Sequence, residues 1–257
     1  MKLLTLPQQN LQRMKWIKRI LIFLVVLLLI GFLLVKFVVS ESKPKVIDGN
    51  ADAMAQQMLT AVNKPAWDTL NYVQWSFVRG HNFVWDKVNN HSRVSWGEYV
   101  VHLDMDEVDG KAYKGEDELT GDKKNKAIQT AWSHWCNDSF WFGAPYKVFD
   151  PGTKREMPVD ADGQEGLLVT YESGGVTPGD QYLWYLDDTG LPTGYKMWTK
   201  IIPIGGVYAS WTDYTTLAGG AKVSQKHTLS LAGMEVPMTD IKSGQNWSDL
   251  GLSLIHI

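Results

Sequence analysis

Residues 71–104 read NYVQWSFVRGHNFVWDKVNNHSRVSWGEYVVHLD. Val73, Trp75 and Phe77 alternate with Gln74 and Ser76, the mark of a strand with one buried face. Residues 82–87 repeat the pattern with Phe83 and Trp85, and residues 93–96 and 99–103 alternate again. The apolar phase flips at Gly97-Glu98, which reads as a bulge or a hairpin turn. Strands this close in sequence form an antiparallel sheet.

The pattern continues on both sides. Asp109-Gly110 is a hairpin signal that joins the preceding strand to residues 111–114. Residues 122–142 carry Ile128, Ala131, Trp132, Trp135, Ser139 and Phe142 on one helical stripe, with Asp122 as N-cap and Gly143-Ala144-Pro145 as the stop. Residues 146–149 read as a short strand. Residues 166–172, 181–186, 194–202, 207–214 and 221–231 then form a meander, with turn chemistry at 187–192 and at Gly205-Gly206. Upstream, Met54, Met58, Leu59 and Val62 set a helix over residues 51–62, capped by Asn50 or Asp52 and ended by Lys64-Pro65. The expected fold class is α+β, mainly antiparallel β.

Residues 20–35, ILIFLVVLLLIGFLLV, are apolar without interruption, and Phe37-Val38-Val39 extend the run beyond Lys36. About 20 residues of helix span the hydrocarbon core of a bilayer. Arg13, Lys15, Lys18 and Arg19 precede the run, and no acidic residue occurs before Glu41. That asymmetry holds the N-terminus in the cytoplasm and exports the rest. The competing reading is a signal peptide cleaved near Ser40. The chain divides into a cytoplasmic basic segment (1–19), a transmembrane signal anchor (20–39), a linker (40–50), an extracytoplasmic domain (51–245) and a tail (246–257). Within the tail, residues 252–257 look like a translated sequencing-adapter fragment.

Six of the 25 Lys and Arg lie in the first 40 residues and none of the 28 Asp and Glu does, which leaves 19 basic against 28 acidic groups and a net charge of −9 beyond residue 40. So acidic a domain is a poor partner for nucleic acid, whose binding rests on neutralising phosphates. Cys136 is the single cysteine, so the domain has no internal disulfide and its core must hold it. Eleven of the twelve Trp lie beyond residue 40, which suits a broad sheet with a large apolar face.

A family resemblance follows from the order of several short motifs. Gly80-x-x-x-x-Trp85 lies on an early strand and Trp96 on the next. Asp109-Gly110-Lys111-Ala112-Tyr113 follows, then Tyr182-Leu-Trp-Tyr-Leu-Asp-Asp-Thr-Gly-Leu-Pro192. Over residues 50–240 this order resembles the LolA/LolB-like lipoprotein-sorting superfamily, and residues 144–152 resemble a branch of bacterial envelope proteins with that fold. The resemblance implies a curved half-barrel sheet wrapped around helices, an apolar cavity for acyl chains, and periplasmic residence at the inner membrane. The family's latch arginine is absent, since its position reads Asp86-Lys87-Val88-Asn89. An uncleaved anchor also separates this chain from a soluble shuttle.

No chemical site stands out. His81, His91, His102, His134 and Cys136 include no paired metal-ligand spacing, and His134 and Cys136 face different ways on a helix. Asp104-x-Asp106-x-x-Asp109-Gly110 departs from a calcium loop, with Gly115 at its twelfth place. It and Asp160-Ala-Asp162-Gly163 read as solvated turns. There is no G-x-S-x-G and no phosphate-binding loop. The reading is therefore no enzyme, no catalytic residue, no metal and no cofactor. Trp75, Phe77, Trp85, Trp96, Trp132, Trp135, Trp184 and Trp198 are the candidates to line an apolar cavity. The expected function is a non-catalytic binder of a lipid, acyl chain or lipoprotein. The alternative is an envelope protein-interaction or sensor domain with a filled barrel and an unassigned protein partner. A hydrolase ranks last.

Overall fold

The computed structural model describes residues 8–251, without the side chains of residues 8–12, 32 and 35–38. The first described element is one long helix, α1 (Gln8–Val38), whose side chains from Met14 to Ile30 are exposed. Among the described residues, no helix is long and apolar enough to cross a membrane. The side chains that complete the apolar run lie outside the described ones, and the remainder of α1 carries Lys15, Lys18 and Arg19. The adapter-like residues 252–257 lie outside the described residues too.

The segment expected as a linker is docked. Glu41 donates its backbone N–H to Gly205 O at 2.9 Å, and Gly205 N–H donates to Ser40 Oγ at 2.8 Å. Strand β1 (Lys45–Ile47) then pairs antiparallel with β8 (Thr153–Val159). These partners lie over a hundred residues away, beyond the reach of a local reading of polar composition.

Helix α2 (Ala51–Ala61) is capped by Asn50, whose side chain accepts from Ala53 N–H at 3.0 Å. Lys64-Pro65, expected to end it, instead opens a second helix, α3 (Lys64–Asp68), because Pro fits the first helical turn; α2 has already stopped at Val62, where the left-handed Asn63 (φ 61°) turns the chain. A meander follows, made of β2 (Tyr72–Phe77), β3 (His81–Asp86), β4 (His91–Trp96), β5 (Tyr99–Asp104), β6 (Asp109–Lys114) and β7 (Asp117–Glu118). Trp96 pairs with Tyr99, so the phase flip at Gly97-Glu98 is a two-residue hairpin turn.

Asp109-Gly110 is not the hairpin turn. Both residues lie on β6, paired with Asp104 and Leu103. The turn sits one step earlier, where Asp104 Oδ1 accepts from the N–H groups of Asp106 and Glu107, and Val108 takes a left-handed φ of 52°. Gly110 is needed for closeness instead: a Cβ there would meet His102 O at 1.9 Å.

Helix α4 (Gly121–Gly143) follows, with Asp122 in its first turn rather than at the cap, which is Thr120. The expected strand at 146–149 is a 3-10 turn, Ala144–Lys147. It buries Tyr146, whose hydroxyl lies 2.8 Å from Val62 O and 2.7 Å from Lys222 O and shares its one proton between them. That pair of contacts ties the end of α4 to the end of α2.

The second half is β8 with β9 (Leu167–Tyr171), β10 (Asp180–Leu186), β11 (Pro192–Trp198) and β12 (Val207–Ser210), then β13 (Thr212–Thr216), β14 (Lys222–Thr228), β15 (Glu235–Pro237) and β16 (Thr239–Gly244). Residues 207–214, expected as one strand, break at the buried Trp211. The sheet orders are β1-β8-β9-β10-β11-β12, β13-β14-β15 and β16-β2-β3-β4-β5-β6-β7. An antiparallel bridge from Ala209 to Leu229 joins the first two, and β16 carries the chain back beside β2. Among the described residues no sheet closes into a barrel.

The strands instead bend around α4. Its Ala127, Ile128, Ala131, Trp135 and Phe142 pack with Val73, Trp75, Phe83 and Val101 of the seven-stranded sheet, while Phe140 and Trp141 reach the core of the six-stranded sheet. Trp75 is fully buried, stacked on Phe142 at 4.6 Å and on Phe83 at 4.9 Å. Truncating so enclosed a ring to alanine costs about 3–5 kcal/mol. The domain also runs past residue 245, because Leu250 is buried and Trp247 packs on Tyr72.

Asp160, expected in a solvated turn, is buried. Its Oδ2 accepts from the Tyr185 hydroxyl at 2.6 Å and from Lys196 Nζ at 3.1 Å, and Lys196 also pairs with Glu41 at 3.1 Å. Burial opposes its charge, but Tyr185, the Gln164 N–H and Lys196 outweigh burial and hold the carboxyl at about 2.

Two outcomes follow from this fold. Gly110→Ala should lower stability by about 2 kcal/mol or more, read as a lower urea midpoint at unchanged slope. Asp160 titrates below its ordinary value, so its contribution of about 2 kcal/mol is present above pH 4 and is lost as pH falls towards 2. Wild type and Asp160→Asn should therefore differ in urea midpoint at pH 7 and converge near pH 2.

Candidate functional site

A cavity of about 530 Å³ opens between α4 and the two large sheets. Helix α4 supplies Trp132, Trp135, Cys136, Phe140 and Phe142 from one broad face, and Trp141 from the other side of its last turn. The seven-stranded sheet adds Trp75 and Trp85, and the six-stranded sheet adds Tyr171, Tyr182, Tyr195 and Met197. Trp67 and Tyr146, stacked at 4.2 Å, close one side. Ile201 and Val176 line the cavity and are 62% and 43% exposed, so it reaches the surface past an apolar rim.

Four of the eight residues expected at a cavity meet there: Trp75, Trp85, Trp132 and Trp135. The other four do not line it. Trp184 is fully buried in the core between Tyr195 and Trp211. Phe77 packs between the two cores beside His81. Trp96 stacks on Tyr99 at 5.3 Å and meets the edge of His134. Trp198 is on the opposite face of its strand. Tyr195 and Met197 point into the core, so Lys196 and Trp198 must point out. There the Trp198 indole donates to Glu41 O at 3.0 Å.

The tyrosines were not singled out in the sequence, although Tyr182 shares the alternation of the buried Trp184. Burial raises the Tyr171, Tyr182 and Tyr195 phenols above their ordinary range, so all three are neutral hydroxyls at pH 7. The buried Tyr171 hydroxyl has no hydrogen-bond partner among the described residues. Its oxygen is enclosed at the wall of an otherwise aromatic space.

A separate cluster lies outside the cavity. His81 from β3 meets His134 and Asp138, which are one turn apart on α4. His81 Nδ1 is 2.7 Å from Asp138 Oδ2, and the two imidazole rings lie 3.9 Å apart. Burial, followed by the fields of His81 and Arg79, lowers His134 to about 4, and burial raises Asp138. The partner of His134 on its own helix is Asp138, one turn on, rather than Cys136. The phase of Phe83 and Trp85, read back two residues, places His81 on the same inner face.

No family model matches the chain, and no curated protein matches it. Among solved structures it is similar to a DUF1329 family protein from Desulfovibrio piger ATCC 29098, at 12% identity and a TM-score of 0.38, over 81% of this chain and 99% of that one. It is also similar to a putative outer membrane lipoprotein-sorting protein domain from Vibrio parahaemolyticus, at 7% identity and a TM-score of 0.34, over 81% of this chain and all of that one.

Cys136 gives a direct probe of the cavity wall. Burial pushes its thiol up to about 12, so little thiolate exists at pH 8. Alkylation by iodoacetamide should run roughly a hundredfold slower in the folded chain than in urea, followed by mass spectrometry.

Proposed function

We propose that this protein is a non-catalytic binder of an acyl chain, carried by a lipid or a lipidated protein. The observation behind this reading is the aromatic cavity of about 530 Å³, a volume inside the range of about 300–1,000 Å³ used for small apolar ligands. Burial of an acyl chain contributes about 0.8 kcal/mol per CH₂, so an aromatic-walled space supplies affinity without charge. The apolar rim at Ile201 and Val176 supports passage of the chain from outside. A filled barrel, the premise of the protein-interaction alternative, fits this interior less well.

In the same proposal, residues 20–39 anchor the protein in the bacterial inner membrane as a single span. The basic segment 1–19 then lies in the cytoplasm and the domain in the periplasm. Such a protein holds its ligand at the membrane rather than carrying it across the periplasm.

Delipidated full-length protein should take up one long-chain fatty acid or lipopeptide per chain in native mass spectrometry. Ile202→Glu, at the cavity wall, should reduce that uptake about tenfold or more with the far-UV spectrum unchanged. Delipidated wild type that binds neither class of ligand overturns the reading.

A further inference from the structure

We propose that His81, His134 and Asp138 together bind one divalent transition-metal ion of the zinc type, and that the ion clamps α4 to β3. Two imidazoles and one carboxylate form an N,N,O donor set suited to zinc or to a non-haem iron site with open positions. Each of the three residues offers one donor atom, and these atoms lie within 4.8 Å of one another. Zinc bonds of about 2.0–2.2 Å place tetrahedral donors roughly 3.3 Å apart, so an ion would spread the 2.7 Å contact between His81 and Asp138 and draw His134 in by up to about 1.5 Å.

Three further observations favour an ion over an ordinary His–Asp pair. Asp138 is buried, with only 2% of its surface exposed, and a carboxylate so enclosed gains most from a compact cation. Its second oxygen accepts from Asn137 Nδ2 at 2.7 Å, which fixes the carboxylate plane as outer partners do around metal ligands. A His–Asp pair also needs no second imidazole, yet His134 lies against His81 on the same side as the carboxylate. The ligands come from two elements, β3 and α4, that wall the cavity without lining it at these positions. The site would therefore stiffen the wall and leave the interior free, and it stands independently of the acyl-chain reading.

The test uses full-length protein in detergent, free of tag histidines, stripped with a chelator and then dialysed against Zn²⁺. One ion per chain by elemental mass spectrometry is the expected result. Co²⁺ in its place should give a visible ligand-field band. His134→Gln and Asp138→Asn should each weaken zinc binding about tenfold or more, while His91→Ala, an exposed histidine on β4, leaves it unchanged. Zinc should also protect His81 and His134 of the wild type from diethyl pyrocarbonate, a readout that needs no variant to fold. Less than one ion per chain, binding insensitive to both substitutions, or no protection of these two histidines overturns the proposal.

Discussion

Trp75 lies flat against Phe142 at 4.6 Å, and Trp135 crowds the same ring at 5.7 Å. This contact fixes the distance between α4 and the seven-stranded sheet. Because α4 is aromatic on a second face as well, with Phe140 and Trp141 directed at the other sheet, neither sheet can bury its inner surface without it. The cavity opens among these rings, between the helix and the two sheets.

Alternation made the strands legible: Trp75, Phe83, Trp85 and Val101 mark inner positions by residue type alone. The helix stripe from Ile128 to Phe142 was legible for the same reason, since both signals repeat within a few residues. What stayed hidden depends on partners far along the chain. Trp198 looks like Trp184 in composition, and only the pairing of β10 with β11 places them on opposite faces. Asp160 looks solvated until β11 brings Lys196 beneath it. His81 and Asp138 are 57 residues apart, and no local spacing announces that contact. The displaced hairpin at 105–108 has a different origin: Asp104 captures two backbone N–H groups and so outcompetes Asp109-Gly110 for the turn.

The ionic centre at Lys196 serves the outer face of the six-stranded sheet much as α4 serves the inner one. Burial works against its ammonium, but Asp160, Asp162 and Glu41 outweigh it and raise the pKa above the ordinary lysine range. One of these partners, Asp162, is 80% exposed and is the weak member; Glu41 is half-buried and Asp160 is the enclosed one. Breaking such a group strands a buried charge, so its members act as a unit.

Glu41 is three residues from the last residue of α1, and its backbone and carboxylate are both held by the β11–β12 region. Three residues of chain reach at most roughly 10 Å. The leash between the apolar helix and the domain therefore has almost no slack. Whatever holds α1 also holds Glu41 within about 10 Å of its end, and the mouth marked by Ile201 lies only a few residues from the point of attachment at Gly205. A leash this short limits how far the mouth can travel from the end of α1.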